Sequence, residues 1–287
     1  MDAAVTVSPA GGVLAHIRSV LPSLLPTEQA VAGVFLDRAG DVVEMSSQQV
    51  ADAAGASRAT VVRTAQSLGF SGYQQLRVLL ARDAGPPQVP GAVPGTPGAR
   101  VASTFAHVAA SVPAMVALLD HADVERVVEA LAVADRIVVV GNGLSAPLAV
   151  DFAARLVGIG RRAEAPPDVI GQQVSARHLR PGDTLFVISG SGANSASVRA
   201  AEAARTGGAT VVLVTAFARS PLTSSADISL VVGMPDLTFH DELTLTSRIP
   251  QVILLEGLLA AVAQRLGPVA AAAAALTLEV VSANLAD

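Results

Sequence analysis

The residues of this chain best suited to chemistry lie in one run, Thr184-Leu-Phe-Val-Ile-Ser-Gly-Ser-Gly-Ala-Asn-Ser-Ala196. Leu185 to Ile188 is a short apolar run with β-branched members. It breaks into small polar residues and glycine before an Ala-rich helical pattern resumes at Ala196. Ser189, Gly190, Ser191, Gly192, Asn194 and Ser195 would then offer hydroxyls, an amide and unobstructed N–H groups at a helix N-terminus, where the peptide dipoles favour an anion. Phosphate is the natural guest. The same residue types also make ordinary turns and caps, so the loop alone leaves both readings open.

A second apolar run, Ile137 to Val140, enters Gly141-Asn-Gly-Leu-Ser-Ala146. Gly141-x-Gly143-x-x-Ala146 satisfies a dinucleotide-binding fingerprint, with Glu164 near the position that would hold a ribose. A lone fingerprint of this kind is weakly specific. The competing reading pairs Ser145 with Ser189 and Ser191, so that neighbouring parallel strands present hydroxyls at their carboxyl ends, where α/β folds bind ligands.

Other chemistries are thinly supplied. The chain has no cysteine, which excludes disulfides and thiolate catalysis. Its five histidines (His16, His107, His121, His178, His240) show no metal-ligand spacing, so neither metal nor cofactor is expected. The net charge of −5 does not advertise nucleic-acid binding, and any such case must rest on a local face. All 19 basic residues are Arg. The 287 residues, 51% of them apolar, supply ample core for one large domain or two ordinary ones. No run of 18 or more residues escapes interruption by charge, Gly or Pro, and Met1-Asp-Ala-Ala lacks the features of a signal peptide. The expectation is a soluble, cytoplasmic protein without a membrane partner.

The elements that must position these loops follow from the punctuation. Ala84 to Arg100 carries five prolines and four glycines and reads as a linker, which assigns 1–83 and 101–287 to separate domains. Its reach, on the order of 50 Å, would let the flanking parts move as separate bodies. Before it the pattern is helical throughout. After it a long helix from Val101 to Ala134, broken near Pro113, precedes strands at 136–140, 162–165, 184–188, 210–215 and 228–232 that alternate with helices. Uninterrupted Val/Ile runs of this kind specify a parallel, flavodoxin-like sheet covered on both faces. A final helix is expected from about Thr246 to Leu266.

In the helical part, Ser47 to Leu68 is organised as helix, turn, helix. Val50, Ala51 and Ala54 would pack the first helix, Gly55 would make the turn, and Ser57 would cap a second helix whose Val61, Val62, Ala65 and Leu68 face inward. Arg58, Thr60, Arg63, Thr64 and Ser67 are left as the outward set. Arg58 is informative, because a cation in the first turn opposes the helix dipole at a cost of roughly 0.3 to 1 kcal/mol, which a partner phosphate would offset. With Arg77 and Arg82, and no acid between Arg58 and Arg82, the second helix can enter a major groove while its flank meets the backbone. A plain helical bundle with an Arg-bearing face is the alternative.

The run Met45 to Arg77 resembles the N-terminal domain of RpiR-type transcriptional regulators through Gly55, Ser57, Ala59-Thr60-Val61, Arg63 and Leu68-Gly-Phe-Ser-Gly-Tyr73. Leu25, before Pro26, departs from that family's usual capping Thr. Arg136 to Gly267 is similar to the sugar isomerase (SIS) domain that such regulators carry, in Gly141-Asn-Gly-Leu-Ser145, Asp168 to Gln172, Ala176 to Asp183, Ile188 to Gly192, Ser220 to Asp227 and Ser247 to Gln251. Ala193 and Asn194 stand where Glu-Thr or similar is usual. The resemblance implies DNA contacts from Ser47, Ser57, Arg58, Thr60, Arg63, Thr64 and Arg77. It also implies a sugar-phosphate site at Gly143, Ser145, Ser189, Ser191, Asn194 and Thr215. The implied partners are a double-stranded operator, a sugar-phosphate effector and further copies in a homodimer or homotetramer. A sugar-phosphate isomerase or lyase is the alternative: His240, Asp241 and Glu242 could supply its base, or could be a solvated loop and cap. A fused DNA-binding module favours sensing over turnover.

Overall fold

The computed structural model describes residues 12–83, 95–235, 237–244 and 247–285. The chain divides into two compact units, Met1–Pro94 with Leu237–Thr246, and Gly95–Asp236 with Ser247–Asp287. The N-terminal unit holds α1 (Gly12–Val20), α2 (Pro26–Asp37), α3 (Ala39–Glu44), α4 (Ser47–Ala54), α5 (Arg58–Ser67) and α6 (Tyr73–Asp83). Ser46 caps α4 by accepting from Gln49 N, and Gln49 answers by accepting from Ser46 N. Gly55, at φ 62°, ends α4, and Ser57 starts α5 by accepting from Thr60 N. Val31, Phe35, Val50, Val61, Ala65, Leu68 and Leu76 are fully or almost fully buried between these helices.

In the second unit, α7 (Pro97–Ala117) and α8 (His121–Val133) precede β1 (Ile137–Gly141), α9 (Ala146–Gly158), β2 (Ala163–Glu164), α10 (Val169–Arg177), β3 (Thr184–Ile188), α11 (Ser195–Thr206), β4 (Thr210–Thr215) and β5 (Ile228–Val231). After β5 the chain makes α12 (Phe239–Thr244), which belongs to the first unit, and returns as α13 (Ile249–Leu266) and α14 (Pro268–Ala283). Pro97–Arg100, read from sequence as linker, are the first turn of α7, because Thr96 caps it and Pro97 fits the start of a helix. Residues 84–94 of that stretch lie outside the described residues. Nor does α7 break at Pro113, which sits inside the helix. The chain bends by 88° at residues 118–120, where Asp120 accepts from Ala122 N and Asp123 N to start α8.

The five strands are all parallel, in the order β2-β1-β3-β4-β5. Parallel strands need helical crossovers, and these cover both faces. One face packs Ile137, Val139, Phe186 and Val212 against α8, α9 and α13, with the rings of Phe152 and Phe186 at 4.7 Å between centroids. The other packs Val138, Val140, Leu185, Val187, Val211 and Leu213 against α10 and α11. Helix α13 has the length and composition of a membrane span. Its Leu254, Leu255, Leu258, Leu259 and Val262 are nonetheless core residues, and its Glu256 and Arg265 pair with Arg155 and Glu129.

Truncation of Phe152 to Ala should cost about 3 to 5 kcal/mol in urea unfolding followed by circular dichroism. Val101→Ala, on an exposed face of α7, should stay within about 0.5 kcal/mol. Equal effects of the two would contradict the sheet core described.

Candidate functional site

Strand register sets the geometry of the loops. Gly141 pairs with Ile188, and Ile188 with Val214, so the residues that follow, Asn142, Ser189 and Thr215, stand in one row across three neighbouring strands at their carboxyl ends. By alternation all three continue the face covered by α10 and α11. The β1 loop turns back tightly on itself: a Cβ at Gly141 would lie 2.5 Å from Ser145 O. It delivers Ser145, only 3% exposed, to the start of α9. In the β3 loop, Gly192 has φ 61°, and a Cβ there would meet Ser220 Oγ at 2.2 Å. Only glycine lets this loop lie so close to the segment after β4, to which it is tied by Leu222 N donating to Gly192 O.

Among the described residues, the hydroxyls of Ser145 and Ser189 have no protein partner. Neither is among the polar atoms sealed from solvent, although both residues are largely buried. Such a group is left to bond water or a ligand. Ser191 Oγ accepts from Ala193 N at 3.3 Å. Asn194 caps α11: its Oδ1 accepts from Ala196 N, Ser197 N and Ser197 Oγ, which leaves its Nδ2 as a donor on an exposed residue. Thr215 is a correction. It is fully buried, its Oγ1 donates to Gly190 O at 3.0 Å and accepts from Phe217 N, and it braces the β3 loop from below instead of facing a ligand.

Sequence reasoning missed the polar chain beneath these loops. Gln172, 3% exposed on α10, donates from Nε2 to Gly141 O and Pro166 O, and accepts at Oε1 from Asn142 Nδ2. Asn142 Nδ2 also donates to Ser197 Oγ at 2.9 Å. The signal available was a Gln on the otherwise apolar buried side of a helix.

The groove of about 700 Å³ beside the β1 loop, lined by Gly141, Gly143, Ala146, Pro147, Val150 and Pro166 among others, takes in the fingerprint glycines but none of Ser145, Ser189 and Ser191. Glu164, the residue a dinucleotide ribose would need, is instead engaged with Arg136. His240, Asp241 and Glu242 lie on α12 in the N-terminal unit, where Glu44 accepts from Phe239 N at 2.6 Å and from His240 N at 3.1 Å.

The helix-turn-helix presents a different face from the expected one. Buried positions on α5 are Thr60, Val61, Thr64 and Ala65, while Arg58, Ala59, Arg63, Gln66 and Ser67 are exposed. Thr64 is 0% exposed and its Oγ1 donates to Thr60 O; Thr60 itself is 8% exposed and bonded to Ser57 Oγ. Both were expected outside. A helix buries a stripe, and α5 places its own threonines in that stripe because their hydroxyls can bond within the helix. Gln66 was the outward residue missed. Ser57 spends its hydroxyl on the cap, and Ser47 accepts from Arg58 Nε at 3.1 Å, which steadies the cation at the start of α5.

Arg77 is the clearest correction. It is 7% exposed, donates from Nε and Nη2 to Val43 O, and lies 3.5 Å from the centre of the Phe239 ring. Tyr73 OH donates to Val42 O and Met45 O. Together they bond carbonyls at the C-terminal end of α3 and just beyond it, a position where a cation also complements the dipole. Burial draws the Arg77 guanidinium down, opposed by Tyr73 and by the Glu44 carboxylate; burial pushes the Tyr73 phenol up, opposed by Arg77. A guanidinium remains charged under either influence. Arg77→Ala should therefore destabilise the protein by about 2 to 4 kcal/mol in thermal unfolding, whereas Arg63→Ala should change stability by no more than about 0.5 kcal/mol. A silent Arg77→Ala would return that residue to the DNA-facing set.

Comparison with known proteins identifies both parts of the chain by family. The helix-turn-helix domain of the rpiR family matches residues 11–86, and the SIS domain matches residues 130–259. An uncharacterized HTH-type transcriptional regulator of Caldanaerobacter subterraneus subsp. tengcongensis is 30% identical over 259 residues, covering 88% of this chain and 91% of its own. The HTH-type transcriptional regulator HexR of Pseudomonas aeruginosa is 33% identical over 259 residues, covering 89% and 90%. Among solved structures, the Vibrio vulnificus NanR protein complexed with ManNAc-6P superposes with a TM-score of 0.74 at 26% identity, over 96% of this chain and all of that one.

Proposed function

Because the chain belongs to the family of HTH-type transcriptional regulators that join an rpiR-type helix-turn-helix domain to a SIS domain, we propose that it binds an operator through α4 and α5 and a phosphorylated sugar or amino sugar through the loops after β1 and β3. The observation that carries the ligand half is the pair of hydroxyls on Ser145 and Ser189, without protein partners at adjoining strand ends. Ser191 and the Asn194 amide would add donors to the phosphate, and Gly143 the turn that admits it. The NanR complex supports ManNAc-6P as the first compound to try.

The DNA half rests on Arg58, Arg63 and Gln66, exposed on α5, with Ser47 and Ser57 at the helix starts, while Ser67 Oγ donates to Glu28 at 2.9 Å. Phosphate contacts would position the helix and the Gln66 amide would reach base edges. The working division is a DNA-binding unit of 1–83 with α12, a connection through about residue 96, and an effector unit formed by the remainder. Exposed apolar side chains on α7 (Val101, Phe105) and α14 (Leu276, Leu278, Val280) support assembly with a second copy, which would present two recognition helices to two half-sites about one DNA turn apart or a multiple of it. Sensing without turnover is favoured because the relatives that match nearly the whole chain are named transcriptional regulators. The protein would act in the cytoplasm, on the chromosome.

The test begins with a duplex selected from a random pool by the full-length protein, followed by fluorescence anisotropy. Arg58→Ala and Arg63→Ala should each weaken binding and flatten the dependence of log K on log salt by about 1, with the response to ManNAc-6P or another phosphosugar intact. Ser145→Ala with Ser189→Ala should keep DNA affinity and lose that response. Loss of both properties in every variant would contradict separable sites.

A further inference from the structure

The hydrogens of the polar chain beneath the loops can be placed without ambiguity. Backbone carbonyl oxygens only accept, so the Gln172 atom that meets both Gly141 O (3.3 Å) and Pro166 O (3.2 Å) must be its NH₂ group. Its Oε1 is therefore the atom turned to Asn142, and the Asn142 atom that meets it at 3.0 Å must be Nδ2. From the far end the chain reads the same way. Asn194 Oδ1 takes two backbone N–H groups, so Ser197 Oγ donates to it and in turn accepts from Asn142 Nδ2. Both hydrogens of Asn142 Nδ2 are spent below the row of strand ends.

Besides Asn194 Nδ2 at the exposed end of the chain, one atom within it is then left over. Asn142 is half-buried, and among the described residues its Oδ1 receives no hydrogen bond, yet it is not one of the polar atoms sealed from solvent. The two arms of a carboxamide diverge, so with Nδ2 turned to Gln172 on α10 and Ser197 on α11, Oδ1 is directed away from those partners. An oxygen locked in this orientation cannot donate. It repels a phosphate oxygen and accepts from a neutral donor.

We propose that Asn142 is a specificity-determining residue of the effector site, its Oδ1 accepting from a hydroxyl or amide N–H on the uncharged body of the ligand, and that buried Gln172 is the positioning residue that locks its orientation. The site then divides its labour. Serine hydroxyls and backbone N–H groups hold the anion, and the Asn142 oxygen reads the neutral body beside it. This rests on the reading of the serine loops as a phosphate site.

The experiment is calorimetric titration of the full-length protein with inorganic phosphate, glucose 6-phosphate, N-acetylglucosamine 6-phosphate, ribose 5-phosphate and 6-phosphogluconate. Its readout is the ratio of the affinity for the tightest sugar phosphate to that for inorganic phosphate. Asn142→Ala should lower that ratio tenfold or more with phosphate affinity within twofold of wild type. Gln172→Met, similar in length but unable to order the amide, should lower the ratio in the same direction while leaving Asn142 in place, which a purely structural role would not do. Ser189→Ala should weaken all probes together. A ratio unchanged in both Asn142→Ala and Gln172→Met, or a parallel loss of phosphate and sugar phosphate in both, overturns the proposal while the phosphate reading stands. No binding of any probe by wild type, or full binding by Ser189→Ala, overturns the phosphate reading and the proposal with it.

Discussion

Parallel register is the constraint on which the effector unit depends. Five strands that all run the same way must all end at one edge, and pairing Gly141 with Ile188 and Ile188 with Val214 fixes which residues leave that edge side by side. The apolar runs below, fully buried on β1, β3 and β4, hold the register against slippage, since a shift by one residue would exchange the two faces of each strand. The row of Asn142, Ser189 and Thr215 is thus a product of the core. Its lowest member is sealed and structural, while the other two keep polar atoms open.

The polar chain from Pro166 to Asn194 adds a second order to the first. A buried carboxamide whose bonds are all specified cannot rotate without leaving a donor or acceptor bare, at a cost of roughly 1 to 3 kcal/mol per group. Gln172 and Ser197 are nearly inaccessible, so water cannot replace the lost partners cheaply. The loops after β1 and β3, which come from different strands, are therefore held in one arrangement by the same few hydrogen bonds. That fixes the Asn142 carboxamide before a ligand arrives, so that binding does not have to order it.

Sequence made the fold legible where patterns were long. Five strands, their parallel direction, the turn at Gly55 and the serine loops all follow from periodicity and punctuation. What it could not supply was the direction in which individual polar side chains point. Thr60 and Thr64 look outward in a list of polar residues but bond within their own helix, and Arg77 looks like a phosphate contact until the carbonyls at the end of α3 are counted. Asn142 stood within the quoted loop, yet its role depends on Gln172, thirty residues further on and on another element. The mid-helix proline misled for a related reason: Pro113 sits in an otherwise mostly exposed helix, and the bend belongs instead to Asp120, whose carboxylate starts the next one.

The Pro/Gly-rich stretch suggested a single flexible tie between independently moving parts, and α12 changes that topology. The chain leaves the sheet after β5, adds α12 to the N-terminal unit, and only then returns as α13. The chain passes between the units three times instead of once. In the N-terminal unit α12 is anchored by Glu44 at its first N–H groups and by the Arg77 guanidinium against Phe239. Glu44 ends α3, and Arg77 bonds a carbonyl of the same helix, so both anchors act on the element that leads directly into α4. A ligand shifts an equilibrium only by its difference in affinity between states. Within the N-terminal unit, α12 bears on the helix before α4 through named contacts, Glu44 at its first N–H groups and Arg77 across the Phe239 ring, so a displacement of α12 cannot leave both anchors intact.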